Sequence, residues 1–276
     1  MTDCIDLHLH TSHSDGTDTP AELVTLVRQL KLVAFAITDH DSVDAYLEAR
    51  QLLAADDPEL VPGIEISAGE GGEDIHILGY YIDPASDALN RAIMDFRKQR
   101  NQRGAQMLKK LKDVGINVPP EMIQQIAGKS AIARPHVADA LVRIGAVYGY
   151  DDAFRRFLGN GRPAYVPKEN IGPQDAIALI HEAGGLAFLA HPAVCNTIRY
   201  LDEFIGYGLD GIEAYHSKHG ANTRDVFIKI AGQKGLLVSG GTDYHGRNGR
   251  YGMIGTQPVP LEYLDAMKKK LKRKNR

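Results

Sequence analysis

Residues 4–16 read CIDLHLHTSHSDG, a short apolar strand pattern with an unusual density of metal-binding side chains. Three histidines and two aspartates lie within eleven residues, from Asp6 to Gly16. Side chains two apart on a strand point to the same face, so His8 and His10 can reach one metal ion together. An H-x-H pair alone is weak support for a metal site, and further ligands must come from elsewhere in the chain.

Short apolar runs rich in β-forming residues alternate with helical patterns along most of the chain. The seven candidate strands span residues 5–8, 33–38, 61–66, 75–81, 186–190, 211–215 and 236–239. The first helix has a defined start, with Thr19 as N-cap, Pro20 at the first helical position and Glu22 completing a capping box. Other helices are predicted at 88–115 and 172–185. Repeated strand–helix units predict an α/β fold with a largely parallel sheet, either open or closed as a barrel.

Residues 86–168 interrupt this alternation with helical patterns alone. Residues 91–168 hold 15 basic and 6 acidic side chains, whereas residues 1–90 hold 3 basic and 18 acidic ones. The acidic part suits cations and the basic part suits anions, although solvated surfaces would give the same charge blocks. We predict a barrel domain built from residues 1–85 and 169–276, with a helical, basic insertion subdomain between them.

The composition is that of an ordinary soluble globular protein, with 43% hydrophobic and 24% charged residues. No apolar run approaches the ~20 residues that span a bilayer, and the first residues lack the apolar core of a signal peptide. Two cysteines, Cys4 and Cys195, do not indicate a disulfide framework. We therefore expect a cytoplasmic protein without a membrane partner. The terminal KKKLKRKNR, with seven positive charges, is predicted to be a frayed, solvated helix end.

Side chains that bind metals recur near the ends of the predicted strands. The strong candidates are His8, His10, Asp15, His40, Glu65, His76, His191, Asp243 and His245. The C-terminal ends of parallel strands meet at one end of a sheet or barrel, which predicts a shared metal site. His76 stands at the start of its strand, which indicates that this strand bends or runs against its neighbours. Nine candidates exceed the about four to six ligands of one ion, so two or three ions are expected.

The motifs DLHLHTSHSDG, ITDHDSV, GIEIS, HILGY, RPHVA, AHP and SGGTDYHG resemble those of PHP-domain (polymerase and histidinol phosphatase) metallophosphoesterases. The resemblance covers nearly the whole chain, in family order, and implies a distorted seven-stranded (β/α) PHP barrel with a helical insertion. It implies one ion held by His8, His10, Glu65 and Asp243, a second by Glu65, His76 and His191, and a third by Asp15, His40 and His245. Imidazole and carboxylate ligands suit Mn²⁺, the expected metal, with Zn²⁺ or Fe²⁺ as alternatives.

The segments FRKQRNQRGAQM and ARPHVADAL resemble PHP enzymes that act on nucleotides, the 3′,5′-nucleoside bisphosphate phosphatases and 5′→3′ oligoribonucleases. Arg97, Arg100 and Arg103 recur every three residues on a predicted helix, with Asn101 among them. Arg134 opens another helix, a position that favours anions. Metal ions need no arginine to bind the phosphate that is cleaved, so these side chains indicate a second phosphate. Surface salt bridges are the alternative explanation.

We therefore predict a metal-dependent phosphatase that removes the 3′-phosphate of 3′,5′-nucleoside bisphosphates, for example 3′-phospho-AMP, by metal-hydroxide attack. The alternative is a 5′→3′ exoribonuclease that trims short 5′-phosphorylated RNA with the same site. The predicted substrate-binding residues are Arg100, Asn101, Arg103, Arg134, His136 and Ser67. The predicted catalytic residues are His191 and His216, and the latter either protonates the leaving oxygen or supports a metal ligand.

Two other functions fit the sequence less well. An amidohydrolase also carries H-x-H on its first strand, but that family usually has a metal-bridging lysine, and none of the predicted strands contains lysine. A regulatory PHP module without activity should have lost ligands, and none is missing. The expected partner is a small nucleotide or short RNA, not a DNA duplex, and the oligomeric state is left open.

Overall fold

The computed structural model describes residues 4–70, 72–167, 171–246 and 252–274. Within these residues one sheet of eight strands runs in the order β7-β6-β5-β4-β3-β2-β1-β8. The strands are β1 Cys4–Leu9, β2 Ala34–Ile37, β3 Glu59–Glu70, β4 Glu73–Tyr80, β5 Leu186–Leu189, β6 Gly211–Tyr215, β7 Leu237–Gly240 and β8 Val259–Pro260. The chain after β7 returns to β1, where the His10 N–H donates to the Tyr244 carbonyl at 2.8 Å. The predicted α/β barrel is thus confirmed and nearly closed.

Strand directions explain the exceptional position of His76. β1, β2 and β3 are parallel to one another, as are β5, β6 and β7, but β4 is antiparallel to both β3 and β5. The start of β4 therefore lies at the same end of the barrel as the C-terminal ends of its neighbours, as the sequence indicated. Because β3 continues to Glu70 in a hairpin with β4, Glu65 lies inside β3 rather than near its end. The two-residue β8, antiparallel to β1, was not among the seven predicted strands.

Ten α-helices surround the sheet in the described residues. They are α1 Pro20–Leu30, α2 Asp44–Leu52, α3 Asp87–Asp113, α4 Pro120–Ala127, α5 Arg134–Arg143, α6 Tyr150–Ala153, α7 Pro173–Glu182, α8 Leu201–Gly206, α9 Ala221–Lys234 and α10 Leu261–Lys274. A π-helical turn, Phe154–Leu158, follows α6. The predicted capping box of α1 is present, with the Glu22 carboxylate accepting from the Thr19 N–H at 2.8 Å. No described helix is long and apolar enough to cross a membrane.

Three clusters of buried apolar side chains form the interior of the described residues. The largest, the barrel cluster, fills the barrel and the space beneath most of its helices, and another packs α1 and α2 against β2. The third, the insertion cluster, lies around Met107, Leu111 and Leu141. α3 belongs to the barrel and insertion clusters, because Leu89 packs in the first and Met107 in the second. The predicted division into two domains stays a prediction, and its boundary at 168/169 lies outside the described residues.

The segment between β4 and β5, which contains the insertion, leaves and rejoins the barrel at one place. Tyr80 at the end of β4 pairs with Leu186 at the start of β5. Just beyond them, the Asp83 N–H donates to the Ala183 carbonyl at 2.7 Å. The two ends of this segment are therefore neighbours, with α3 following the first end and α7 preceding the second.

The basic C-terminal segment is helical as far as Lys274 and is attached to the barrel. Lys268 pairs with Glu59 at 2.5 Å, and Lys270 pairs with Asp210 at 2.7 Å. The predicted fraying is therefore wrong for the described residues 268–274, whereas Lys269 and residues 272–274 are exposed as predicted. Leu264 and Met267 pack this helix in the barrel cluster, and its acidic partners come from distant parts of the chain, which no local pattern shows.

Candidate metal centre

Two buried aspartates that are not themselves candidate ligands fix the segments that carry the ligands. Asp6 in β1 accepts hydrogen bonds from the Thr242 N–H at 2.9 Å and hydroxyl at 2.8 Å, beside Asp243. Burial raises the pKa of Asp6 to about 6. Asp39, after β2, accepts from the Thr11 N–H at 2.7 Å and from its hydroxyl at 2.6 Å. Asp6 ties the loop after β7 to β1, and Asp39 ties the loop after β1 to the loop after β2, so the ligands start from fixed backbone positions.

The first ligand group brings four atoms from three parts of the chain to one point. His8 Nε2 and His10 Nε2 lie 3.1 Å apart. Glu65 Oε2 is 3.4 Å from His8 Nε2 and 3.2 Å from His10 Nε2, and Asp243 Oδ1 is 3.4 Å from each. Four ligands at about 2.1 Å from one ion, arranged as a tetrahedron, are separated by about 3.4 Å. These separations suit one divalent ion held by His8, His10 and Asp243, with Glu65 Oε2 beside both histidines.

The second group uses the other oxygen of Glu65. Glu65 Oε1 lies 3.0 Å from His76 Nδ1 and 3.0 Å from His191 Nε2. The two histidine nitrogens are 3.2 Å apart. Since Oε2 faces the first group and Oε1 the second, Glu65 is positioned as a carboxylate bridge between two ions.

The third group is more open than the other two. His10, Asp15, His40 and His245 each offer a ligand atom, all within 4.8 Å of one another. His245 Nε2 lies 3.3 Å from Asp15 Oδ1, and His40 Nε2 lies 4.0 Å from Asp15 Oδ2. Asp15 Oδ1 is buried and has no hydrogen-bond partner among the described residues, which suits an oxygen that faces a cation. Geometry thus adds His10 to the three ligands that the resemblance implied.

The protonation pattern of the cluster is that of a cation site. Burial opposes ionisation of Glu65, but the surrounding histidines keep its pKa well below the usual value. Burial also opposes a charge on His10, yet its hydrogen bonds to Asp243 and Glu65 raise its pKa to about 10. Burial lowers the pKa of His40 to about 3. Protons shared among these groups occupy the place that divalent ions take when they bind.

The three arginines predicted to bind phosphate line a cavity of about 240 Å³ together with the ligand groups. The Arg100 guanidinium donates to Asp41 at 2.7 Å and to the Ser67 hydroxyl at 2.6 Å. Arg134 donates to Asp74 at 2.6 Å. Salt bridges therefore orient two of the arginines; the Arg100–Asp41 pair is largely buried, whereas the Arg134–Asp74 pair is partly exposed.

Arg103 is the exception among the three. It donates to the Val166 carbonyl at 2.9 Å and has no carboxylate in hydrogen-bond contact among the described residues. Burial and the neighbouring Arg134 lower its pKa to about 10. Its charge is therefore the least compensated of the three and the readiest to pair with an anion.

The sequence profile of the PHP domain matches residues 6–156, which is more than half of the chain. This chain belongs to the PHP domain family. The 3′,5′-nucleoside bisphosphate phosphatase of Chromobacterium violaceum is 34% identical over 254 residues, 89% of each chain. The 5′-3′ exoribonuclease Rnm of Escherichia coli is 33% identical over 247 residues, 87% of this chain and 84% of the relative. A candidate metal-dependent phosphoesterase from Bifidobacterium adolescentis superposes with a TM-score of 0.87 at 29% identity, covering 95% of this chain and 94% of that one.

One buried carboxylate of this PHP domain was missed by the sequence reasoning. Glu213 in β6 has no solvent exposure, and its Oε1 lies 2.8 Å from His8 Nδ1. Its Oε2 accepts the backbone N–H of His191 at 2.7 Å. His191 has a positive φ of 28°, a strained conformation that this contact supports. The signal in the sequence is a single glutamate within the otherwise apolar strand GIEAY.

Some predicted substrate residues of the PHP domain do not reach the cavity wall. Asn101 is exposed, and its Oδ1 accepts from the Ile132 N–H at 3.1 Å, which ties α3 to the segment before α5. His136 is buried, and its Nδ1 accepts from the Ala133 N–H at 3.1 Å, which caps α5. Arg97 donates to the Lys129 carbonyl at 2.5 Å on the surface. These contacts give all three side chains a structural role.

His216 is placed behind a ligand rather than facing the cavity. It is fully buried, and its Nδ1 accepts from the Lys218 N–H at 3.1 Å. Its Nε2 faces Asp243 Oδ2 at a distance of 3.3 Å. Of the two roles considered for His216, this geometry favours support of Asp243. His13 lies outside the three ligand groups and contacts Glu48 at 3.1 Å.

Proposed function

We propose that this PHP domain is a metal-dependent phosphatase that removes the 3′-phosphate from 3′,5′-nucleoside bisphosphates, giving AMP and phosphate from 3′-phospho-AMP. The observation that supports it most is one cavity lined both by metal-ligand residues and by Arg100, Arg103 and Arg134. A substrate with two phosphates uses both sets of residues, whereas a simple monophosphate uses only the metal-ligand residues. The name of the Chromobacterium violaceum relative agrees with this substrate.

Each set of residues has a separate task. Divalent ions, with Mn²⁺ proposed ahead of Zn²⁺ or Fe²⁺, supply Lewis acidity to the phosphoryl group and activate water. Arg103 and Arg134 bind the 5′-phosphate that is not cleaved, and Arg100 completes the wall through its bonds to Asp41 and Ser67. His191 holds an ion, and His216 keeps Asp243 oriented. The cytoplasm is the proposed site of action.

The second candidate function is 5′→3′ trimming of short 5′-phosphorylated RNA. In this reaction the arginines hold the terminal 5′-phosphate, and the next phosphodiester lies at the ions. A further cavity of about 150 Å³ adjoins Arg100 and Arg103, which gives a longer substrate additional room. The name of the Escherichia coli relative agrees with this activity.

The test is phosphate release from 3′-phospho-AMP with Mn²⁺, followed by the same assay on Arg134→Ala. Loss of a charge-assisted phosphate contact of about 1.5–3 kcal/mol should raise KM about 10- to 150-fold. Arg143→Ala, at the exposed end of the same helix, is the matched control and should keep the wild-type KM. No release from any nucleoside bisphosphate would refute the proposal, and a 5′-phosphorylated RNA ladder shows whether the second activity is present.

A further inference from the structure

The cavity that holds the ligand groups and arginines has a third, apolar region. Tyr150 and Phe154 line it from the insertion, and Val194 and Cys195 line it from the segment after β5. The two rings lie 5.0 Å apart between centroids, at 40° to one another. The Val194 side chain is 44% exposed, so this apolar surface faces the open cavity rather than the protein interior.

Packing within the insertion accounts for only part of this region. Tyr150 and Phe154 lie at the edge of the insertion cluster and are only partly buried. Phe157, in the same π-helical turn as Phe154, has a different environment. It contacts Arg156 and does not line the cavity. π-helical turns are rare and occur mostly at functional sites. Rings that face a polar cavity, on the same side as phosphate-binding arginines, indicate a ligand with a flat apolar part.

Phe154 is close to the arginine wall. The Arg134 guanidinium carbon lies 5.9 Å from the centre of its ring. A group stacked on Phe154 is therefore next to a phosphate held by Arg134. Nucleotides have this arrangement, with a planar base and a 5′-phosphate on one ribose.

We propose that Tyr150, Phe154 and Val194 form the nucleobase subsite, in which the substrate base stacks on the aromatic pair. This inference rests on the proposed function and names the residues that hold the base of its substrate. Stacking uses the ring face, which every base has, so the subsite accepts all four bases. Purines, with larger rings, bind more tightly than pyrimidines.

The experiment compares two ligand pairs, each with and without the base on a ribose that keeps its 2′-hydroxyl. Calorimetry measures AMP against ribose 5-phosphate, and kinetics measure 3′-phospho-AMP against base-free 1-deoxyribose 3,5-bisphosphate. The variant is Phe154→Leu, which keeps apolar volume and removes the ring. Phe157→Leu is the matched control, since it makes the same change in the same turn outside the cavity.

Wild-type protein should bind AMP about 5- to 150-fold more tightly than ribose 5-phosphate, as expected for stacking of one base. Phe154→Leu should reduce this ratio at least fivefold, and Phe157→Leu should leave it unchanged. Equal binding of AMP and ribose 5-phosphate by the wild type would overturn the inference, as would a wild-type ratio in Phe154→Leu. Since binding is measured without turnover, failure to hydrolyse any bisphosphate would count against the proposed function alone.

Discussion

Glu213→Gln tests whether a carboxylate outside the ligand groups controls metal binding. The substitution keeps the side-chain size but removes the charge and replaces one oxygen by an amino group. In the protein, the two oxygens serve two donors, His8 Nδ1 at 2.8 Å and the His191 N–H at 2.7 Å. Glutamine has a single acceptor oxygen, so one donor is left facing an N–H group.

The expected magnitude follows from these two contacts. A buried donor without an acceptor costs about 1–3 kcal/mol, and the remaining bond to His8 or His191 loses its charge assistance. The carboxylate also makes the His8 ring a stronger ligand, and loss of such partners weakens metal binding about 10- to 100-fold. We expect the Mn²⁺ dissociation constant of the Glu213→Gln variant to rise within that range.

Asp210→Asn is the matched control for this experiment. Asp210 precedes β6 and also accepts from a backbone N–H of β5, that of Ala187 at 2.9 Å, and from His181 at 2.7 Å. Both variants should lower the melting temperature of the metal-free protein, but only Glu213→Gln should weaken Mn²⁺ binding in calorimetry. An unchanged Mn²⁺ dissociation constant in Glu213→Gln, together with the lowered melting temperature, would refute the reasoning.

Three further outcomes follow from the same structure. Glu65→Gln should weaken two ions at once, because each carboxylate oxygen faces a different group; loss of a single ion in calorimetry would argue against the bridge. The raised pKa of His10, about 10, favours its protonated form until the pH rises through that value, and Mn²⁺ must displace this proton. Mn²⁺ affinity should therefore rise from pH 6 to 8 with proton release, measured in buffers of different ionisation enthalpy, and a flat profile would contradict it. In urea unfolding, Gly241→Ala should lower the free energy of unfolding by about 1–3 kcal/mol, since its Cβ would lie 2.4 Å from the backbone nitrogen of His8. Gly232→Ala in α9, where the added Cβ meets no atom, should raise it by about 0.5–1 kcal/mol. Equal stability of the two variants would exclude the close approach at Gly241.

The barrel, and the gathering of the candidate ligands at one end of it, could be predicted because both leave local patterns in the sequence. Alternating strands and helices predict the sheet, and candidate ligands recur at the same point of successive units. His76 indicated that β4 bends or runs against its neighbours, and the structure shows that β4 is antiparallel to both. β8, with two residues, was too short for any pattern.

What could not be predicted are the partners that come from distant parts of the chain. Arg100 meets Asp41 across 59 positions, and Glu213 meets His8 across 205. Local sequence shows that a charged residue is present but not which charge faces it. Asn101 was predicted on the substrate side because it shares a helix with the arginines, yet the backbone of Ile132 occupies its oxygen.

The hydrogen bond between Asp83 and Ala183 has a consequence for how such proteins diversify. The segment between β4 and β5 begins and ends at neighbouring positions, and the entropy cost of closing such a loop rises only slowly with its length. Evolution can then lengthen, shorten or exchange this segment without shifting His76 or His191, provided that the replacement covers the face of the sheet on which α7 packs. One ion cluster can in this way be fitted to new phosphoesters, and the same two positions are natural junctions for chimeric enzymes made in the laboratory.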